Sequence, residues 1–205
     1  MVENSNSGNS DKTVIILAAA QKRFAHYGLL KTTMNDIAED IGMSKASLYY
    51  YFADKETIFQ DVIRKEQREF VNQIEKFLSD KVSGEELLIT YVKKRLSYFQ
   101  TFLNLSKLSS DSIKGIKPIF SQLFENFKHE EVTLLKKIIK NGIENGEFEK
   151  VNVTEFSELF ISLIQGLRSN LIIRKELENL DKKDYQILEK QFINVAKIFS
   201  KGIKK

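Results

Sequence analysis

Residues 33–52 read Thr33-Met-Asn-Asp-Ile-Ala-Glu-Asp-Ile-Gly-Met-Ser-Lys-Ala-Ser-Leu-Tyr-Tyr-Tyr-Phe52. Thr33 is followed three residues later by Asp36, the spacing of a capping box. The Thr33 hydroxyl accepts from the Asp36 amide, and the Asp36 carboxylate accepts from the Thr33 amide. About two turns on, Ile41-Gly42-Met43 interrupts the helix, and Ser44 is a second good N-cap. The helix it opens runs to Tyr51 and stops at Phe52-Ala53. Ile37, Ile41 and Leu48 can form the apolar seam between the two helices. Ala38 is small where the second helix must come close, and Gly42 gives the turn a permissive backbone. Two short helices joined by a three-residue turn containing glycine make a helix-turn-helix.

The flanking sequence continues in helices. Ile16, Ala20, Phe24 and Tyr27 share one face of a helix from about 12 to 27, with Gly28 placed for a left-handed C-terminal residue. Residues 1–10 are small and polar and are expected to form a disordered tail. Asp54 can cap a fourth helix whose stripe of Phe59, Val62, Ile63, Phe70, Ile74 and Phe77 persists to about Leu78. Leu88, Val92, Leu96, Phe99 and Leu103 mark a fifth. A short helix over 105–114, ending at Gly115, is expected next. Pro118 then suits the first turn of another helix, which stops between Asn141 and Gly146. Segments from Thr154 and from about Lys183 to Lys201 complete an all-α chain of about nine helices. The expected organisation is a tail at 1–10, a helix-turn-helix domain at 11–56 and a second helical domain at 57–205.

Composition supports helices and narrows the chemistry. One proline and nine glycines in 205 residues are few against the roughly 10 and 14 of average usage, and hairpins need such residues. The longest apolar run, Val14–Ala20, has seven residues, far below the roughly 18 needed to span a bilayer, so no membrane partner is expected. Having no cysteine excludes disulfides, thiolate metal sites and a cysteine nucleophile, and points to the cytoplasm. His26 and His129 have no acidic partner at ligand spacing, so no metal or cofactor is expected. With no histidine–carboxylate pair and no phosphate-binding glycine loop, an enzyme is disfavoured. Residues 1–65 balance eight basic against eight acidic groups, and the net +4 arises after 180. The basic balance is therefore no argument for nucleic acid. Lys201–Lys205 is expected to be a solvated tail, and Glu85-Glu86 and Glu130-Glu131 solvated helix faces.

The second short helix makes the stronger argument. Ser44 at its start and Lys45, Ala46, Ser47, Tyr49, Tyr50 and Tyr51 along it are the expected DNA-contacting residues, and no acidic group occurs between Ser44 and Ala53. Three adjacent tyrosines point about 100° apart, so they cannot all be core. An outward phenol can donate to phosphate or pack on a thymine methyl. The Tyr50 ring has a second reading, packed against the first helix. Lys55, at the first turn of the fourth helix, stands where free amides and an ammonium attract phosphate. Thr33 can act similarly.

From Thr32 to Phe59, and in Ala19-Ala20, Phe24 and Gly28 before it, the chain resembles the N-terminal domain of the TetR family of bacterial transcriptional regulators. The resemblance covers about residues 12–60. Residues 80–205 are similar only in length, helix count and the segment Asn141-Gly-Ile-Glu-Asn-Gly-Glu-Phe148. It implies a homodimeric, ligand-responsive binder of double-stranded operator DNA, usually a repressor, whose last two helices form the dimer interface. Carried over, phosphate contacts fall on Thr33, Tyr49 and Lys55, and base contacts on Lys45, Ala46, Ser47 and Tyr51. The commonest family pattern has glycine or proline at Ala46 and histidine at Tyr50 or Tyr51, so the base preference stays open. Lys45 to a guanine edge is the first expectation.

Phe70, Tyr91, Tyr98, Phe99, Phe102, Phe120, Phe124 and Phe127 could line an apolar pocket for a small hydrophobic effector; ordinary core is the competing reading. Phe156, Leu159, Leu163, Gly166, Leu167, Phe192, Val195 and Phe199 are the expected dimer seam, since a two-fold interface uses one patch twice. The alternative function is a DNA-bound protein-interaction module of the same fold that does not act through transcription.

Overall fold

A computed structural model of the chain describes residues 5–78, 82–106, 110–175 and 179–205; the side chains of 5–10, 102–106 and 110–120 lie outside the description. Among the described residues there are eight helices and no strand: α1 Ser5–Tyr27, α2 Met34–Asp40, α3 Lys45–Tyr51, α4 Lys55–Leu78, α5 Gly84–Ser106, α6 Ser110–Glu144, α7 Val153–Lys175 and α8 Lys182–Gly202. The all-α expectation holds, with one helix fewer. The chain divides into two units, Met1–Glu66 with Gln100–Leu108, and Gln67–Phe99 with Ser109–Lys205.

In the first unit, α1 buries Ile16, Ala20 and Phe24 completely. The Phe24 ring meets Phe59 of α4 edge-on at 5.0 Å, the preferred aromatic geometry. Burying each such side chain contributes about 1.5–3 kcal/mol. Gly28 closes α1 with φ +80°, a conformation costly for other residues. Where a tail was expected, α1 reaches back to Ser5. Once Ile16 and Phe24 anchor the helix, each further turn adds hydrogen bonds without a new nucleation cost.

In the second unit, α6 packs on α7 and α7 on α8. Gly115 and Pro118 do not break the chain there: α6 is one helix through both. Their local penalties, about 1 and 3 kcal/mol, are outweighed by the buried downstream stripe of Leu123, Phe127, Leu134, Leu135, Ile138 and Ile139. The helix stops as expected at Gly146, with φ +74°. The Phe148 ring then lies so close to Gly84 and Gly142 that a β-carbon at either would overlap it. Asp181 opens α8 with a capping box to Asp184.

Candidate functional site

The helix-turn-helix is built as its sequence dictates. Thr33 caps α2, its hydroxyl accepting from the Asp36 amide at 3.2 Å while Asp36 Oδ2 accepts from the Thr33 amide at 2.9 Å. The Thr33 amide bond holds the Asp36 carboxyl below its usual range. Arg23 of α1 forks onto Asp40 at 2.6 and 2.7 Å and reaches Asp36 at 3.5 Å, fixing α2 against α1. That hydrogen-bonded pairing also keeps Asp40 below the ordinary carboxylate range. Gly42 turns the chain at φ +64°. Ser44 caps α3, accepting from the Ser47 amide at 3.1 Å. Ile37, Ala38, Leu48 and Phe52 are buried, and Ile41 is half-buried.

With Leu48 as its buried anchor, α3 turns its other side outward. Ser44, Lys45, Ala46, Ser47, Tyr49 and Tyr50 are exposed and Tyr51 is half-buried. Tyr50 is 78% exposed, so its ring is not packed in the core; it meets Tyr51 edge-on at 5.2 Å. The Lys45 ammonium lies over the Tyr49 ring at 5.9 Å. Thr33 is exposed as well. Lys12 and Ile15 of α1 line an open groove with Gly42, Ser44, Ser47, Tyr50 and Tyr51. Lys12 was missed because the periodicity of α1 marks only its buried face.

Lys55, expected to reach phosphate, lies here against the connection between α1 and α2. Its ammonium donates to three backbone carbonyls, Leu29 at 3.0 Å, Leu30 at 3.2 Å and Thr32 at 2.9 Å. All three of its protons are thereby used. The first turn of α4 also already has an anion: Asp54 Oδ1 accepts from the Thr57 amide and hydroxyl, both at 2.7 Å. Lys55 therefore holds the α1–α2 connection. Lys55→Met should destabilise the chain by about 1–3 kcal/mol and weaken all DNA sequences alike without changing the salt slope. Lys45→Ala should leave stability intact and relax base preference. Thermal melts and binding titrations across salt check both; an unchanged melt with a slope lower by about one would restore the phosphate role.

The expected aromatic pocket is mostly packed core. Phe70 meets Tyr91 and Phe127 at 5.7 Å and Tyr98 at 6.1 Å, and Tyr98 meets Phe127 at 5.1 Å. Phe124 is half-buried, and the side chains of Phe102 and Phe120 lie outside the described residues. A small cavity does open beside this cluster, lined by Tyr91, Arg95, Phe99, Glu131, Ile161, Ile164, Gln165, Arg168 and Phe192. Of the expected pocket residues whose side chains are described, Tyr91 and Phe99 reach it. Glu131 is not a solvated face: it is 1% exposed, paired with the Arg95 Nε and accepting from Arg95 Nη2 at 3.2 Å and from the Tyr91 hydroxyl at 2.6 Å. Burial opposes the Arg95 charge, but Glu131, with Tyr91 and Tyr98 adding to it, offsets this and raises the pKa overall. Burial, with Glu131 adding to it, pushes the Tyr91 phenol well up. The signal for the pair was present: Arg95 and Glu131 each sit one turn along from a buried aromatic, Tyr91 and Phe127, on the apolar stripes of α5 and α6.

The expected dimer seam divides in two. Phe192 is buried and lines the cavity, and Phe199 packs on Phe156 at 5.3 Å and Phe160 at 5.0 Å within the chain. The α7–α8 contact uses those rings, with Phe156 and Phe199 half-buried; Val195 and Leu167 are half-buried as well. Leu159 at 50% and Leu163 at 42% are exposed, and Gly166 faces open space. On α8 the exposed apolar residues are Ile187 and Ile198, which the sequence reading did not select.

Comparison with known proteins agrees with this architecture. Residues 16–62 match the model for bacterial regulatory proteins of the tetR family, and 55–205 that for the C-terminal region of QacR-like proteins. A transcriptional regulator from Cytophaga hutchinsonii, known from its crystal structure, is 46% identical with a TM-score of 0.87, covering 95% of this chain and 99% of that one. The fatty acid metabolism regulator protein of Bacillus subtilis is 22% identical, over 68% of this chain and 72% of its own. The transcriptional repressor KstR2 of Rhodococcus jostii is 26% identical, over 78% and 67%. Among the described residues no helix is long and apolar enough to cross a membrane. Family models spanning 16–205 and a near-full-length relative at this identity lead to one conclusion: the chain belongs to the TetR family of bacterial transcriptional regulators.

Proposed function

We propose that the protein is a repressor that binds a palindromic operator as a homodimer and is released by a small hydrophobic effector. Residues 11–56 are the DNA-binding domain and 57–205 the effector-binding and dimerisation domain. The observation that carries this reading is the outer side of α3, where Lys45, Ala46, Ser47, Tyr49 and Tyr50 stand exposed on a helix capped by Ser44 and anchored by Leu48. Lys45 and Ser47 supply donors to base edges, Tyr49 and Thr33 donors to phosphate, and Ala46 lets the backbone come close to the groove floor. Tyr51, half-buried, contacts DNA only at its edge.

In a dimer the two copies of α3 must lie about 34–36 Å apart to enter successive major grooves. The 24 residues of α4 span about 36 Å at 1.5 Å per residue. An effector that favours a splayed dimer over a DNA-competent one by about 1–3 kcal/mol suffices to shift binding. The hydrophobic character of the effector is supported by the Phe99, Ile161, Ile164 and Phe192 walls of the cavity. Similar regulators carry names that refer to fatty acids and to flavonoids.

The test is to incubate the full chain with a random duplex library and sequence what it retains. An inverted repeat with half-sites about one turn apart, or a multiple of it, is expected. Retention without any shared sequence, or of an unrepeated half-site, would contradict the operator reading.

A further inference from the structure

The ionisable groups lining the second-unit cavity do not balance. Arg95, Arg168 and Glu131 are its charged members, and Glu131 is already engaged by Arg95 and the Tyr91 hydroxyl. Arg168 of α7 has no carboxylate partner among the described residues. Its Nε is fully enclosed with no acceptor, and its guanidinium lies over the Phe99 ring at 5.1 Å. Burial, with the like charge of Arg95 behind it, pushes its pKa down to about 10, so it remains a cation at neutral pH. One unbalanced positive charge thus faces a space walled by Phe99, Ile161, Ile164 and Phe192.

Arg168 is half-buried as a residue, but its enclosed Nε–H has no acceptor, which is costly, and an anion brought to it recovers that cost. The count selects the ligand. One negative charge neutralises the cavity, whereas a dianionic phosphate would leave an excess against apolar walls. A carboxylate also matches the donor fork of a guanidinium, in bonds stronger than the ring contact they would replace. We propose that the effector is an organic monoanion, a carboxylate on an apolar body, and that Arg168 holds its charged end. This rests on the ligand-responsive reading above and adds the chemical class to it. The cavity encloses about 10 Å³ of free space, the room of roughly one water centre. The apolar body therefore enters by displacing lining side chains, and Phe99 is the first to move once the carboxylate takes the guanidinium.

Matched acids and alcohols test this on the full chain: decanoate against 1-decanol, and 4-phenylbutyrate against 4-phenylbutan-1-ol, by titration calorimetry and thermal melts. At least one acid should bind about tenfold or more tightly than its alcohol, the effect of a charge-assisted hydrogen bond. Arg168→Met should erase that preference, and Arg168→Lys should keep part of it. Without ligand, Arg168→Met should melt above the wild type, since it removes an unpaired charge. Alcohols that bind as well as acids, no binding by either acid, or an Arg168→Met protein that melts lower and still prefers acids would overturn the proposal. Release of the operator fragments retained in the library experiment is measured separately. An acid held through Arg168 that leaves DNA bound defeats the effector-release reading but not the site. An alcohol that releases DNA irrespective of Arg168 defeats the site but not that reading.

Discussion

Glu131→Leu is expected to lower stability by about 3–5 kcal/mol, the range for removing one member of a buried ion pair. For a chain of this size that is a Tm drop on the order of 10 °C. Glu131 accepts from Tyr91 and Arg95 at once, so the substitution leaves a buried phenol without an acceptor and Arg95 without its counter-charge. Glu131→Gln keeps an acceptor and should recover part of the loss. Arg95→Met combined with Glu131→Leu should recover most of it, because removing both charges spares the desolvation of either. The coupling energy of that cycle, read from urea unfolding of the four proteins, should be well above the few tenths of a kcal/mol found for independent sites. Additive losses would mean that the pair is solvated and that the cavity is not the dry enclosure described.

The parts of the molecule legible in the sequence are those whose cause is local. A capping box, an N-cap serine and a left-handed glycine act over four residues, so Thr33, Asp36, Ser44, Gly28 and Gly42 could be assigned before any contact was known. The long stripes of α4 and α6 were equally plain, because one buried face repeats every three or four residues. The joint at Gly115 and Pro118 was misjudged for the complementary reason: both are local breakers, and only the downstream burial of α6 overrides them.

The site was less legible because its features depend on what faces each residue across the fold. Periodicity says that Phe192 and Phe199 lie on the apolar side of α8, but not whether that side meets α7 or a second chain. Lys55 stands at a helix start in the sequence, yet three carbonyls of the preceding connection reach it first. Residue type alone places a glutamate in solvent, whereas Glu131 is 1% exposed. A glutamate at i+4 from Phe127 on an otherwise buried stripe needed a partner, and Arg95 on the facing helix was the available one.

Leu163→Lys should convert the protein from dimer to monomer and cut operator affinity by a factor on the order of 10²–10⁴, the gain that linking two half-site readers provides. Leu159, Leu163 and Gly166 follow one another at four and three residues on the outer side of α7, and Ile187 and Ile198 are exposed on α8. Scattered apolar residues on a surface need no explanation; a stripe ending in a glycine with open space above it allows two helices to approach closely. On a two-fold seam the substitution occurs twice, so two ammonium groups would lose water near one axis, with no carboxylate assigned to meet them. Within one chain Leu163 is already 42% exposed, so helical content should survive and the loss should belong to assembly. Sedimentation at micromolar concentration should place the wild type at twice 23.8 kDa and the variant at 23.8 kDa. Because the contacts of each α3 are untouched, the monomer should keep weak, salt-sensitive binding to any duplex. A wild type that sediments as a monomer, or a variant that binds the inverted repeat as tightly as before, would detach DNA recognition from this face of α7.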